Sequence, residues 1–150
     1  MRSVGKALFL ISTVGIAACS GSEPELTTQC DGDYLTYEPE LVVPTDEGRF
    51  DLLFVAATPD PPDEGNNDWV LQITDQAGTP VDAEVIVTPW MPAHGHGVSP
   101  PDYVSQATDT MGEVEIPAFD LIMPGTWEFR ISVTADGATD TAAPSFCIEG

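Results

Sequence analysis

The 150-residue chain carries 25 acidic and only four basic residues, a formal net charge of −21. That balance excludes recognition of nucleic-acid phosphates, which needs a basic surface. The length allows one ordinary domain with a single core and no second one.

The chain opens like an export signal. Arg2 and Lys6 precede an apolar run from Ala7 to Ala18 that is too short to span a bilayer as a mature helix. The run closes on Ile16-Ala17-Ala18-Cys19, which resembles the lipobox of bacterial lipoproteins, where the cysteine becomes the lipidated first residue. Residues 1–18 are therefore expected to be a lipoprotein signal peptide, residues 19–29 a lipid-anchored tether, and residues 30–150 the folded domain. Ser20 after the cysteine, rather than Asp, points to the outer membrane facing the periplasm, with the cell surface as the alternative. The signal holds two of the four basic residues and no acid, so the mature chain would carry −23. Such a charge raises the local cation concentration, and it is equally a general adaptation to salt.

Beyond the tether the pattern is strand after strand. Tyr34–Tyr37 begins the domain, followed by Glu38–Pro44 and the strongly apolar Arg49–Ala57. The stretch Asp60–Asp68 reads as an acidic, proline-rich surface loop, without the alternating ligand order of a calcium loop. Trp69–Thr74 ends at the turn signature Asp75-Gln76-Ala77-Gly78, and Val81–Thr88 alternates apolar and acidic residues like a half-buried strand. Tyr103–Thr108, Val114–Ile116 and Thr126–Thr134 follow, with Trp127, Phe129, Ile131 and Val133 on one face. Asp136-Gly137 is a favoured hairpin turn before a last strand over Thr139–Ile148. Helical periodicity is absent outside the signal. These seven or eight short strands predict an all-β, immunoglobulin-like antiparallel β-sandwich.

Both histidines fall in one segment, Met91-Pro92-Ala93-His94-Gly95-His96-Gly97. On extended backbone a His-x-His pair sends both rings to the same side. Neutral imidazole suits copper, zinc, nickel and iron, and a neighbouring thioether tips the choice toward copper. Met91 is therefore a candidate ligand beside His94 and His96, against the alternative of a core methionine at a strand end. Met123, in the Met-Pro-Gly turn before Trp127, joins them if the loops at one end of the sandwich meet.

With Cys19 taken by lipid, Cys30 and Cys147 remain as an even pair in an oxidising compartment and are expected to form a disulfide. Closing so long a loop is worth about 4–5 kcal/mol in the chain-entropy model. The alternative is two reduced thiols serving copper, against which stands their distance along the sequence from the histidines.

The second half of the chain is similar to the YtkA-like domain family, small immunoglobulin-like domains of the bacterial envelope related to the FixH group. The resemblance covers roughly Phe50 to Ile148. It rests on Met91-Pro92 with Gly95-His96, on Met123-Pro124-Gly125-x-Trp127, and on the Asp136-Gly137 hairpin with the Phe146 strand. In that family a second Met is common where His94 stands here. The exchange replaces a soft sulfur with a borderline nitrogen, making a site more tolerant of Cu(II) or zinc.

The chain shows no Ser-His-Asp order, G-x-S-x-G elbow or phosphate-binding glycine loop, and no enzymatic activity is expected. The first functional expectation is a lipid-anchored periplasmic protein that binds a copper ion, with zinc as the other candidate metal. It would buffer the ion or hand it to an envelope partner, touching the membrane only through its N-terminal lipid. The second is a metal-free interaction module whose Trp90–Tyr103 loop supplies Trp90, Met91, Val98 and Tyr103 as apolar anchors.

Overall fold

The computed structural model describes residues 30–150. The expected signal peptide, Cys19 and the tether lie outside the described residues. Eleven strands follow in chain order. They are β1 (Val42–Pro44), β2 (Phe50–Thr58), β3 (Gly65–Asp75), β4 (Glu84–Met91), β5 (His96–Gly97), β6 (Tyr103–Val104), β7 (Gln106–Ala107), β8 (Glu113–Leu121), β9 (Gly125–Ala135), β10 (Ala138–Ala142) and β11 (Ser145–Ile148). One sheet runs β1-β2-β3-β8-β7. The other runs β10-β9-β4-β5, with β11 also on β9 and β6 also on β4. All these pairs are antiparallel, and no helix occurs among the described residues. This is the expected immunoglobulin-like sandwich.

Period-two patterning decides what is inside. Along β9 buried and outward residues alternate, and Trp127, Phe129, Ile131 and Val133 all face the core. Trp69 on β3 meets them from the other sheet. Its ring lies 4.6 Å from Phe129, 4.9 Å from Phe119 and 5.1 Å from Phe54, centre to centre, within the range of favourable tilted and edge-on packing.

The strand count exceeds the expected seven or eight because two long segments are cut in half. Tyr103–Thr108 changes sheets at Ser105. β6 pairs with β4, β7 pairs with β8, and Ser105 between them exchanges two hydrogen bonds with Val85. Thr139–Ile148 breaks at Ala143-Pro144, and β10 and β11 both lie on β9. The strand expected over Val114–Ile116 runs on instead to Leu121. The register slips between the Ile116 and Phe119 pairs, and Pro117 falls in that irregularity, where a missing N–H costs no ladder bond. At the front of the domain Tyr34–Tyr37 makes only one bridge, Leu35 to Phe146. The acidic loop is shorter than expected, since Gly65–Asp68 belong to β3. Asn67, 1% exposed, braces the rest by bonding the backbone of Asp63 and Gly65.

Two clamps hold the chain across the sheets. Cys30 and Cys147 form the expected disulfide, with Cα atoms 5.5 Å apart. Away from it, the β1–β2 turn is tied to β10 through Asp140, which is only 4% exposed. Its carboxylate accepts from the backbone N–H of Glu47 at 3.2 Å, Arg49 at 3.1 Å and Thr141 at 2.8 Å. Burial alone would raise its pKa. The Thr45 hydroxyl and the backbone donors of Arg49, Thr141 and Glu47 more than offset that and bring it to about 2.

Candidate functional site

β4 ends at Met91, and the chain turns through Pro92–Gly95 before returning as β5. Backbone N–H groups of His94 and Gly95 both donate to the Met91 carbonyl, at 3.2 and 2.9 Å, closing the turn. Gly95 has φ +68, where a side chain would be strained. Gly97 is needed for a different reason: a Cβ there would lie 2.7 Å from the Pro89 carbonyl oxygen. The two histidines are therefore not carried on one extended strand, as their spacing suggested. The turn at Gly95 brings them together instead, with ring centres 5.7 Å apart and planes perpendicular. Two imidazoles bound to one ion through bonds of about 2.0–2.1 Å place their ring centres about 5–6 Å apart.

Met91 pairs directly with His96 across the hairpin, and directly opposed residues of an antiparallel pair share a face. Met91 is 2% exposed on the inner face. His96 accordingly lies half-buried against Trp127, with ring centres 6.1 Å apart. Its Nδ1 is 3.1 Å from the Gly97 carbonyl, which can only accept. In the neutral ring the proton therefore belongs on Nδ1, which leaves the Nε2 lone pair as the one a metal would take. His94, third in the turn, is exposed.

Met123 reaches the same place from the other side. The Trp127 indole N–H donates to the Met123 carbonyl at 3.0 Å, fixing the β8–β9 turn over the hairpin. Met91, His94 and Met123 line one cavity of about 380 Å³, together with Pro124 and Thr126. His96 is not among the lining residues; its ring centre lies 5.7 Å from that of His94. Met91 satisfies both of its readings, since it belongs to the core and also lines the cavity.

Sequence reasoning missed one wall of the cavity, Asp31-Gly32-Asp33. The signal was available in the expected Cys30–Cys147 pairing, which staples residue 31 beside the strand paired with β9. Thr126 Oγ1 donates to the Asp31 carbonyl at 2.8 Å and completes the attachment.

The family model described as YtkA-like matches residues 47–132, more than half of the chain. The chain belongs to the YtkA-like family. The match takes in the histidine hairpin and the Met123 turn of this YtkA-like chain, and it stops short of the Asp136-Gly137 hairpin. A DUF4426 family protein from Pseudomonas aeruginosa PAO1, known from a crystal structure, is similar in fold. It is 18% identical, with a TM-score of 0.53 over 73% of the YtkA-like chain and 96% of its own. No curated protein matches.

Among the described residues, no three His, Cys, Asp or Glu side chains form a group able to hold a metal. Zinc sites are built from those residue types. Two imidazoles with thioether sulfur fit copper, and Cu(I) best. Asp102, a conceivable oxygen ligand, is engaged elsewhere, accepting from Thr88 Oγ1 at 2.5 Å. The anchors expected of a metal-free docking loop are largely used within the fold. Met91 and Tyr103 are buried, Val98 packs on the core, and the Arg130 guanidinium stacks 4.6 Å above the Trp90 ring.

Proposed function

We propose that this YtkA-like protein binds copper at the rim of its sandwich through His94, His96, Met91 and Met123, and serves as a buffer or donor of the ion rather than as an enzyme. The reading rests on one observation: three of the four residues line a single cavity, and the fourth has its ring 5.7 Å from one of them. Imidazole and thioether donors hold Cu(I) without the hard oxygen ligands that calcium or magnesium demand. The exposure of His94 suits ligand exchange with a partner. A chain tethered through lipid on Cys19 would keep that exchange in the bacterial envelope, facing the periplasm.

The test is copper titration of a Cys19→Ala chain in its oxidised form, by competition with a chromophoric chelator for Cu(I) and by visible absorption for Cu(II). One ion per chain is expected, with affinity falling about tenfold or more in a His94→Ala/His96→Ala double variant. Equal affinity in the two proteins defeats the proposal. Lipid attachment is tested separately by fatty-acid labelling, expected in the wild type and lost in Cys19→Ala.

A further inference from the structure

The first residues of the domain build a second groove. The disulfide pins Cys30 to Cys147, and the Leu35 N–H donates to the Ser145 carbonyl at 2.8 Å, laying Tyr34–Tyr37 along β11. Asp31–Asp33 line the histidine cavity, and the next four residues line another, of about 510 Å³. The proline-rich segment Pro59–Asp63 lines it too, and Phe146 and Ile148, both buried, supply its floor. Two exposed large apolar side chains are neighbours here, Tyr34 at 41% and Leu35 at 42%. Tyr37 is held edge-on against Phe54 and Phe146, with ring centres 6.1 and 6.2 Å away. Fixed aromatic rings beside uncovered apolar side chains are what a docking surface uses as anchors.

Charge decides what can dock. Asp60, Asp63 and Glu149 line the same groove and are exposed. Burial, and then the Asp60 charge, hold the Tyr37 phenol above its ordinary range, so Asp60 stands close to that ring. No cation of the domain answers these acids. Among the described residues there is no lysine, and the two arginines, Arg49 and Arg130, are engaged by Glu47 and Glu128 at 2.7 Å each. Two candidate occupants carry the wrong sign. Residues 20–29 hold Glu23 and Glu25 with no basic residue, and a second copy of the chain is itself strongly acidic.

We propose that this groove docks an extended basic segment of a protein partner, whose arginine or lysine side chains meet Asp60, Asp63 and Glu149 while its apolar side chains cover Tyr34 and Leu35. Cations drawn in by the carboxylates also find tyrosine faces to lie against. The inference stands whether or not the neighbouring cavity binds copper.

The experiment is calorimetric titration of the metal-free, oxidised Cys19→Ala chain with a blocked hexapeptide alternating arginine and leucine. It is run at physiological ionic strength, where diffuse attraction to so acidic a chain is screened. One peptide per chain is expected. Affinity should fall about tenfold or more in Asp60→Asn/Glu149→Gln and in Tyr34→Ala/Leu35→Ala. It should stay within about twofold in Asp109→Asn/Glu115→Gln, which removes the same charge from exposed positions elsewhere. All these side chains are exposed, and thermal unfolding checks that each variant is folded. A hexapeptide alternating arginine and serine should bind about tenfold more weakly, having no apolar side chain to bury. Equal losses in the two charge-neutralised variants overturn the proposal, because the attraction then belongs to the whole acidic surface. Equal affinity for the two peptides, or for blocked arginine amide alone, overturns it too, since the groove then takes a cation without a chain. Absence of binding to the arginine–leucine peptide overturns it outright.

Discussion

The two ends of β9 deal with polar groups in opposite ways. Near Val133, which faces Asp140 across the ladder, every strong acceptor has its donors. The carboxylate takes three backbone N–H groups, and the buried Thr45 hydroxyl bonds Phe50 in both directions, at 3.0 Å each. Near Thr126–Glu128 the same strand lies beside the histidine hairpin and the Met123 turn, and among the described residues one side-chain hydrogen bond serves the two imidazoles, from His96 Nδ1 to the Gly97 carbonyl. The one ring nitrogen that is bonded leaves the other free. A strongly shifted carboxylate at the first end marks structure, because its capacity is spent on the backbone. Unspent donors beside a cavity mark a place where something else can bind. Perturbed ionisation is thus a poor guide to function in this domain, and unmatched donors are a better one.

The largest effect expected from breaking this contrast comes from Trp127→Ala, which should cost about 3–5 kcal/mol in denaturant unfolding, as for a buried aromatic truncation. It should also abolish copper binding by freeing the Met123 turn. Trp127→Phe sharpens the point: most of the stability should remain while copper affinity falls, since only the indole N–H that holds Met123 is gone. At the other end, Thr45→Val should cost about 1–3 kcal/mol by orphaning the Phe50 N–H, with copper affinity unchanged; the Phe50 carbonyl keeps the Thr45 backbone N–H. Acid should weaken the fold at that end. The Asp140 pKa is depressed to about 2, so its contribution to stability is complete above about pH 4 and is lost as pH falls toward 2. Asp140→Asn should flatten that part of the pH profile of thermal unfolding. Smallest is the effect of His94→Ala on stability, about 0.5 kcal/mol or less for an exposed turn residue. A larger loss would show that His94 supports the fold and is not held free for a ligand.

The strands with clean alternation were legible in the sequence because a two-residue period has only one meaning on a half-buried sheet. The four residues inward on β9 and the Asp136-Gly137 turn were found for that reason, the latter with both residues at positive φ. Where one residue interrupts the period, the reading stopped early. Pro117 hid the second half of β8, and a register slip between Phe54 and Ala56 turns Ala56 outward and Ala57 inward in the apolar β2 run. The site was half legible. Chemistry nominated His94, His96, Met91 and Met123. The mode of their meeting was not readable, because it depends on one left-handed glycine and on two loops packing at the same end. The Asp31–Asp33 wall was missed because nothing local marks it; only the disulfide brings it there.

Cys30, the first residue of the described domain, lies at the same end as the histidine cavity. If Cys19 carries the lipid, the eleven residues from there to Cys30 span at most about 40 Å when fully stretched. The pole that carries the histidines would then be the one nearest the bilayer, and the Asp140 pole the one turned away. A donor or acceptor of the ion would have to work in that thin layer, which favours neighbours fixed in the same membrane over proteins diffusing freely.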